Sequence, residues 1–280
     1  MHLYLIRRFF SIIFTLLAVS FITFSLMNVL PGGTAETILK QMAVGIDEKA
    51  TTGQIQEISS RYNLDKPIIV QYEMWLENLI LKGDLGRSYS YNMPVTDLLL
   101  SRLPATLLLA CTSILIVTIA GVFIGLYTAL HEGSLSDQII RVLTVFGVSF
   151  PGFWVALLLI IIFSLTLKLT PTSGYGSIQF LILPAIALSI SPSCVIIRLM
   201  RCSVLETLQE PFIRYAIAKG MSWSSIVKTH LSRNAFLPVL TVLGVHFGYM
   251  FSMTMIIETI FAWPGIGSLL IAATIGRDIP

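Results

Sequence analysis

Long apolar runs alternate with short polar segments along most of the chain, a pattern typical of proteins that cross a membrane several times. The first run, residues 9–30, is free of charged residues and long enough to span a bilayer core of roughly 30 Å. Further apolar runs predict helices over about residues 103–130, 140–168, 178–197 and 235–260. The pattern therefore predicts an all-α polytopic membrane protein with about five transmembrane helices.

Two predicted helices contain residues that disturb regular helical geometry. Residues 149–154, which include Pro151 and Gly152, interrupt the third helix early, and Pro184 and Pro192 interrupt the fourth. Membrane helices tolerate such residues when neighbouring groups satisfy the freed backbone. Pro151 therefore marks either a broken helix that lines a pathway or a simple kink.

The second predicted helix places Pro104 in its first turn, where proline is accommodated. Gly121 and Gly125 further along it form a G-x-x-x-G pair, a spacing that favours close packing of membrane helices.

Residues 31–102 form the longest polar segment and divide an N-terminal helix, residues 1–30, from a core of residues 103–280. The segment holds nine acidic residues and seven Lys or Arg, so it lacks the basic excess of a cytoplasmic loop. We expect it outside the cell, with amphipathic helices over residues 51–62 and 68–81. These helices either meet an external partner or pack on the chain's own membrane helices. One face of the second helix carries Ile69, Tyr72, Trp75, Leu76 and Leu79.

Residues 212–238 form a polar, basic stretch between two apolar runs. Gly220 separates two short predicted helices, and Ser222 is the predicted N-cap of the second. The stretch is either an ordinary basic loop or a docking element for a soluble partner.

The distribution of basic residues predicts the orientation of the chain. Arg198 and Arg201 are predicted to end the fourth helix, and they open an inner segment with six Lys or Arg against two Glu. Together with Arg7 and Arg8, this basic excess places the stretch and the N-terminus in the cytoplasm.

Composition excludes several classes of protein. The chain has 280 residues, of which 55% are hydrophobic and 12% charged, about half the charged fraction of a soluble domain. Its net charge of +3 is too small and scattered to indicate nucleic-acid binding. A phosphate-binding G-x-x-x-x-G-K-[ST] loop and mid-membrane charges are both absent from the sequence. The driving energy for any transport is therefore expected to come from another subunit.

A few side chains in the predicted membrane helices are candidates for a transport pathway. His246 and Met250 lie four residues apart and offer a nitrogen and a soft sulfur that suit a passing metal ion. The alternative for His246 is a hydrogen-bonded packing residue, and methionines such as Met250 and Met253 commonly fill gaps in a core. Glu258 lies near the predicted outer end of its helix, and it completes the pathway candidates with Pro151.

Two stretches carry a family resemblance. The sequence around Gly220 resembles the coupling ("EAA") loop of bacterial ABC-importer permeases, and its closest form is that of the peptide/nickel permease family. The wider consensus has Glu where this chain has Arg214, which favours the peptide/nickel branch. TIFAWPGIG, preceded by Glu258, resembles the family's E-x-x-F-x-W-P-G-x-G signature. The positions that match the family's ARAKG…HxxRNAxxP pattern are Ala216, Ala218, Lys219, Gly220, His230, Arg233, Asn234 and Pro238.

The resemblance implies an ABC-importer permease fold with a cytoplasmic coupling hairpin over about residues 202–234, in a bacterial inner membrane. Tyr215 and Met221 fall within the implied ATPase-coupling surface. The implied partners are a second permease subunit, two ATPase subunits and an external substrate-binding protein. ATP and magnesium would bind to the ATPase subunits, with no cofactor and no catalytic residue on this chain.

The implied activity is ATP-driven alternating access that moves peptides, or a nickel ion or complex, across the membrane. The family has six membrane helices, and this chain is expected to lack the last. An ATPase-independent channel, a secondary carrier and a non-transporting assembly subunit are the alternatives.

Overall fold

The computed structural model describes residues 2–29, 65–88, 90–276 and 278, and helices dominate them. Among these residues, the one extended pairing is an isolated antiparallel bridge between Arg87 and Pro94. Short π-helical turns follow α2 and α5 and lie near the start of α8. The helices are α1 (His2–Val29), α2 (Ile68–Glu77), α3 (Val95–Leu130), α4 (Leu135–Ser149), α5 (Gly152–Leu159), α6 (Ile178–Leu208), α7 (Pro211–Ala218), α8 (Trp223–Ile260) and α9 (Ile266–Gly276).

The helices that are long and apolar enough to cross a membrane confirm the all-α polytopic prediction. Four single helices meet this description: α1, α3, α6 and α8. α4 and α5 together are also long and apolar enough, so the described residues contain up to five spans if this bent pair counts as one. The shorter apolar helix α9 follows. The amphipathic helix predicted over residues 51–62 lies outside the described residues.

The observed helices extend beyond the apolar runs that predicted them. α3 begins at Val95 rather than near residue 103, so Pro104 lies inside the helix and not in its first turn. α6 continues through Arg198 and Arg201 to Leu208, which the prediction had placed in the following loop. Polar and basic residues end an apolar run without ending a helix, since arginine is a good helix former.

The second half of the basic stretch is also more helical than predicted. A separate short helix after Ser222 and a fifth membrane helix from about residue 235 were expected. One helix, α8, runs through both, with a π-helical turn at Ile226–Leu231 and with Pro238 in its interior.

The break predicted at residues 149–154 is a sharp bend. α4 and α5 are bent by 106° across Phe150 and Pro151. Phe150 adopts an extended backbone, with φ −84° and ψ 132°, because the ring of a following proline disfavours the helical conformation. Of the two alternatives for Pro151, the broken helix is the one observed.

The chain divides into two compact units, residues 1–101 with 271–280 and residues 102–270. In the first unit, the face of α2 that the sequence predicted to be buried packs on α1. Tyr72 is buried, its hydroxyl lies 2.7 Å from the Ser20 hydroxyl, and its ring contacts Phe21 and Phe24 edge-on. Ile69 of the same predicted face is exposed. This part of the polar segment thus packs on the chain's own helix.

The first unit also contains a buried polar contact near the end of the chain. Asp278 accepts a hydrogen bond from the Ser88 hydroxyl and another from the Ser90 backbone N–H, at 3.3 Å. The carboxylate therefore fixes the loop after α2.

The core of the second unit consists of two apolar clusters, both built on α3, α6 and α8. The cluster nearer the C-terminal ends of α3 and α6 includes residues of α7 and the first turns of α8. The other cluster lies toward the N-terminal ends of α3 and α6 and the C-terminal end of α8, and includes Trp263. Because the same three helices contribute to both, the clusters lie toward opposite ends of this bundle.

The G-x-x-x-G pair in α3 packs against α6, as its spacing predicts. A Cβ atom added at Gly125 would lie 2.7 Å from both the Ile197 carbonyl oxygen and the Met200 Cβ. A Cβ at Gly121 would collide with the Ile196 side chain. Only glycine permits this close approach of the two helices.

Candidate functional site

The basic stretch folds as a helical hairpin, residues 211–231, called the hairpin below. Pro211 occupies the first turn of α7, where its missing N–H costs no hydrogen bond. Gly220 follows α7 with φ +77°, a left-handed conformation that glycine adopts without strain. The Ser222 hydroxyl accepts a hydrogen bond from the Ser225 N–H at 3.4 Å, so Ser222 is the N-cap that the sequence predicts.

One face of the hairpin is anchored in the core of the second unit. Its buried apolar side chains belong to the same cluster as the ends of α3 and α6, including Ala129, Met200 and Val204. The hairpin is thus packed on the helices rather than extended as a free loop. The hairpin residues buried there are Ile213, Ala216, Ile226 and Leu231.

The opposite face of the hairpin is exposed and combines large apolar side chains with positive charge. Tyr215 is 62% exposed and Trp223 51% exposed, and the ammonium group of Lys219 lies 4.7 Å from the centre of the Tyr215 ring. An exposed apolar patch with a polar surround is typical of a protein interaction site. Other exposed residues of the hairpin include Phe212, Arg214, Ile217, Ala218, Gly220 and Met221.

The predicted coupling residues fall into three groups. Most are on the exposed face just described, whereas Ala216 is buried and packs the hairpin onto the core. Arg233 and Asn234 lie on the first turns of α8 and are exposed, and Asn234 donates a hydrogen bond to the His230 carbonyl at 2.7 Å. His230 itself is partly buried.

Most of the predicted pathway residues line one cavity, of about 420 Å³, in the second unit. His246, Met250 and Met253 reach it from α8, and Pro151 reaches it from the bend between α4 and α5. Ser191 and Pro192 contribute the wall from α6. The broken helix therefore forms part of a cavity wall.

His246 is partly exposed within this cavity and has no hydrogen-bond partner among the described residues. The described residues also contain no group of three or more His, Cys, Asp or Glu side chains placed to hold a metal ion. His246 with Met250 thus supplies fewer ligands than a metal site normally uses.

Glu258, the remaining pathway candidate, lies in a different place. Its carboxylate is fully buried and accepts hydrogen bonds from the Thr106 hydroxyl at 2.7 Å and the Ser268 backbone N–H at 2.9 Å. A Cβ atom at Gly265 would collide with this carboxylate, and one at Gly267 would lie 2.9 Å from it. The glycines of the TIFAWPGIG stretch therefore leave room for Glu258, which joins α3, α8 and the start of α9.

Trp263, the aromatic residue of the TIFAWPGIG stretch, lies in the apolar core of the second unit. Trp263 is 1% exposed, and its indole N–H donates to the Ala105 carbonyl oxygen at 2.9 Å. The ring packs in the core because the turn after α8 directs it back onto α3. Residues 261–262 form this turn.

A buried ion pair that the sequence analysis missed lies beside the hairpin end of the bundle. Arg201 of α6 donates two hydrogen bonds to Asp137 of α4, from Nε at 2.8 Å and from Nη2 at 3.0 Å. The Gly133 N–H donates to the same carboxylate at 3.1 Å. The spacing of Ser134 and Asp137 signals only the start of α4, and it gives no indication that Asp137 pairs with Arg201.

Comparison with known proteins identifies the family. Residues 121–280 match the family described as the binding-protein-dependent transport system inner membrane component, and residues 1–110 match the N-terminal region of such membrane components. The chain belongs to this family. It is a multi-pass membrane protein, a permease subunit of a binding-protein-dependent ABC importer, a system that also comprises ATPase and substrate-binding partners.

Curated relatives align over almost the whole chain. A protein of Brucella suis biovar 1 (strain 1330), named for a peptide transport system permease, is 36% identical over 284 aligned positions, which cover 99% of this chain and 88% of the relative. The glutathione transport system permease protein GsiC of Escherichia coli O6:H1 (strain CFT073) is 35% identical over 277 positions, with the same two coverages.

Proposed function

We propose that this permease subunit moves peptides across the membrane and that the hairpin couples this movement to an ATPase partner. The observation that carries the proposal is the hairpin itself, which has one face fixed in the bundle core and the other exposed. A rigidly anchored patch of aromatic and basic side chains suits a groove on a soluble subunit. The match to the coupling-loop pattern supports the same assignment.

In the proposed mechanism, closure of two ATPase subunits displaces the hairpins of two permease subunits. Each hairpin moves the ends of α3 and α6 because it shares their apolar cluster. The bundle then alternates between inward-facing and outward-facing states, and an external binding protein delivers the substrate. ATP and magnesium bind to the ATPase subunits, and this chain contributes no catalytic residue and no cofactor site.

The proposed orientation places the hairpin and the N-terminus in the cytoplasm. Arg7 and Arg8 lie near the N-terminal end of α1, and the exposed basic side chains Arg214, Lys219 and Arg233 lie on or next to the hairpin. Positive charge concentrates on the cytoplasmic side of membrane proteins.

The cavity bounded by Pro151, His246, Met250 and Met253 is the proposed substrate pathway in this subunit. Peptides are the proposed substrate class, because relatives that align along nearly the full chain carry peptide or glutathione transport names. Nickel is the second candidate, and it rests on His246 and Met250 sharing the cavity.

The experiment is purification of the chain from its native membrane in mild detergent, with the co-purifying proteins identified by mass spectrometry. Reconstituted vesicles are then tested for uptake of labelled dipeptide, tripeptide and nickel with and without ATP. We expect a co-purifying ATPase and ATP-dependent peptide uptake. Solute flux without ATP would identify a channel or carrier instead, and ATP-dependent uptake restricted to nickel would replace the substrate assignment. Partner binding without any uptake would indicate an assembly subunit.

A further inference from the structure

The buried pair of Asp137 and Arg201 adds a polar link between α4 and α6, which also pack closely where Gly147 of α4 meets Cys194 and Ile190 of α6. The Asp137 side chain is fully buried, and the Arg201 side chain is 16% exposed. The bidentate geometry fixes both the distance and the direction between the two groups. A second, longer contact of Arg201, at 3.6 Å, reaches the exposed Glu132 in the turn before α4.

The pair includes one of the two buried side chains of α4. Asp137 and Thr144 are its only buried residues. Its large apolar side chains, among them Leu135, Leu143 and Phe146, are more than half exposed. Apolar side chains in contact with lipid add little to helix association, so the buried polar contact strengthens the attachment of α4 to α6.

The pair also lies between the hairpin and the cavity. On α6, Met200 and Val204 flank Arg201 and belong to the apolar cluster that holds the hairpin. At its other end α4 leads into the bend, where Val148, Phe150 and Pro151 line the cavity. A displacement of α6 at the hairpin therefore has a direct mechanical route to the cavity wall, provided that α4 moves with α6.

We propose that Asp137 and Arg201 are positioning residues that make α4 and α6 move as one body, so that displacement of the hairpin reaches the bend at Phe150 and Pro151. This inference rests on the proposed function, since it names the route by which the hairpin acts on the pathway. Without the pair, ATP hydrolysis continues while the cavity wall no longer follows the hairpin.

A cross-link between the same two helices tests this directly. A Cβ atom at Gly147 of α4 would lie 3.6 Å from the Cys194 Cβ of α6, within the range of disulfides. Gly147→Cys therefore creates a pair that oxidation joins and reduction releases. The exposed Cys111 and Cys202 are replaced by serine in all variants. Gly147→Ser is the matched control without a thiol.

The experiment uses the complete complex in proteoliposomes and measures peptide uptake and ATP hydrolysis together. With the ion pair intact, we expect the oxidised cross-link to leave uptake within about twofold of its reduced value. Arg201→Ala should lower uptake at least tenfold while ATP hydrolysis falls less than twofold, and the oxidised cross-link should restore uptake. Arg198→Ala, an exposed arginine on the same helix, is the control and should leave both rates unchanged.

The proposal is overturned if the oxidised cross-link abolishes uptake with the ion pair intact, because α4 and α6 then move relative to each other. The proposal is also overturned if Arg201→Ala assembles and transports normally. The same holds if oxidation of the Gly147→Cys cross-link fails to restore peptide uptake to the Arg201→Ala variant. If Arg201→Ala does not assemble, the test is the uptake of the cross-linked protein with the intact ion pair, which must survive oxidation. Failure of the proposed function is distinct, because the unmodified complex would then lack ATP-dependent uptake.

Discussion

The Thr106 hydroxyl donates a hydrogen bond of 2.7 Å to Glu258 Oε1, and the oxygen of the same hydroxyl accepts the Ile266 N–H at 2.8 Å. Thr106 belongs to α3, Glu258 to α8 and Ile266 to the first turn of α9. A single hydroxyl thus connects three helices at a position where the surroundings exclude water. Buried polar groups in such a network must be satisfied together.

Glu258→Gln should destabilise the second unit. Both carboxylate oxygens accept hydrogen bonds, whereas glutamine has only one acceptor oxygen, so one buried donor loses its partner at a cost of about 1–3 kcal/mol. We expect a lower thermal unfolding temperature for the purified protein in detergent. Glu206→Gln, which changes an exposed carboxylate on α6, is the control and should leave that temperature unchanged. Equal unfolding temperatures for the two variants would contradict the role given to Glu258.

Gly125→Ala should separate α3 from α6. The added methyl group would lie 2.7 Å from the Ile197 carbonyl oxygen, and relieving such overpacking typically costs about 1–3 kcal/mol. The measurement is the unfolding temperature, with Gly244→Ala in α8 as the matched control, since a Cβ at Gly244 meets nothing within 4 Å. The close approach of the two helices is refuted if both alanine variants are equally stable.

Tyr215→Ser should weaken binding of the ATPase partner without affecting the fold. Tyr215 is 62% exposed on the hairpin, so its loss removes contact area from the proposed interface and leaves the core intact. We expect at least about tenfold less ATPase to co-purify with the variant, since central aromatic residues often contribute more than 1 kcal/mol to an interface. Phe123→Ser on α3 removes an equally exposed aromatic side chain, 67% exposed, away from the hairpin. Equal ATPase recovery from the two variants would show that Tyr215 is outside the interface.

Ser191→Trp should obstruct the cavity. Ser191 lines the cavity of about 420 Å³ from α6, and an indole group at this position would narrow it. We expect peptide uptake to fall while ATPase co-purification stays constant. Ile182→Trp on the same helix is the control, because Ile182 is exposed and does not line the cavity. Unchanged uptake in Ser191→Trp would place the substrate pathway elsewhere.

The predictable parts of the fold are those set by local backbone chemistry. Gly220 after a helix, Ser222 as an N-cap and the break at Pro151 each follow from the conformational preferences of a few adjacent residues, and each is observed. The close packing of α3 at Gly121 and Gly125 was also predictable, because their spacing alone places both glycines on one helix face.

The parts that the sequence did not predict depend on contacts between distant residues. The sequence around Trp263 does not show whether its ring is buried, and only its contact with the distant residue Ala105 does. Asp137 and Arg201 are 64 residues apart, so no local pattern connects them. Arg201 was therefore interpreted as the end of a helix and not as part of an ion pair. Periodicity within one helix carries no information about such partners.

The central claim is that the hairpin around Gly220 couples ATP hydrolysis in a partner to peptide uptake. Gly220 has φ +77°, which proline cannot adopt, and its N–H donates to the Ile217 carbonyl at 2.9 Å, which proline cannot do. A Cβ at this position meets nothing within 4 Å, so the effect of a substitution is confined to the backbone of the hairpin. Gly220→Asn is the matched control, since asparagine adopts the left-handed conformation more readily than other residues.

The most direct measurement compares ATP-dependent peptide uptake in proteoliposomes that contain the complete complex with the Gly220→Pro or Gly220→Asn chain. Membrane insertion of each variant is checked by immunoblot. We predict that Gly220→Pro inserts normally and loses uptake, while Gly220→Asn retains most of it. Normal uptake by Gly220→Pro would contradict the coupling role of the hairpin.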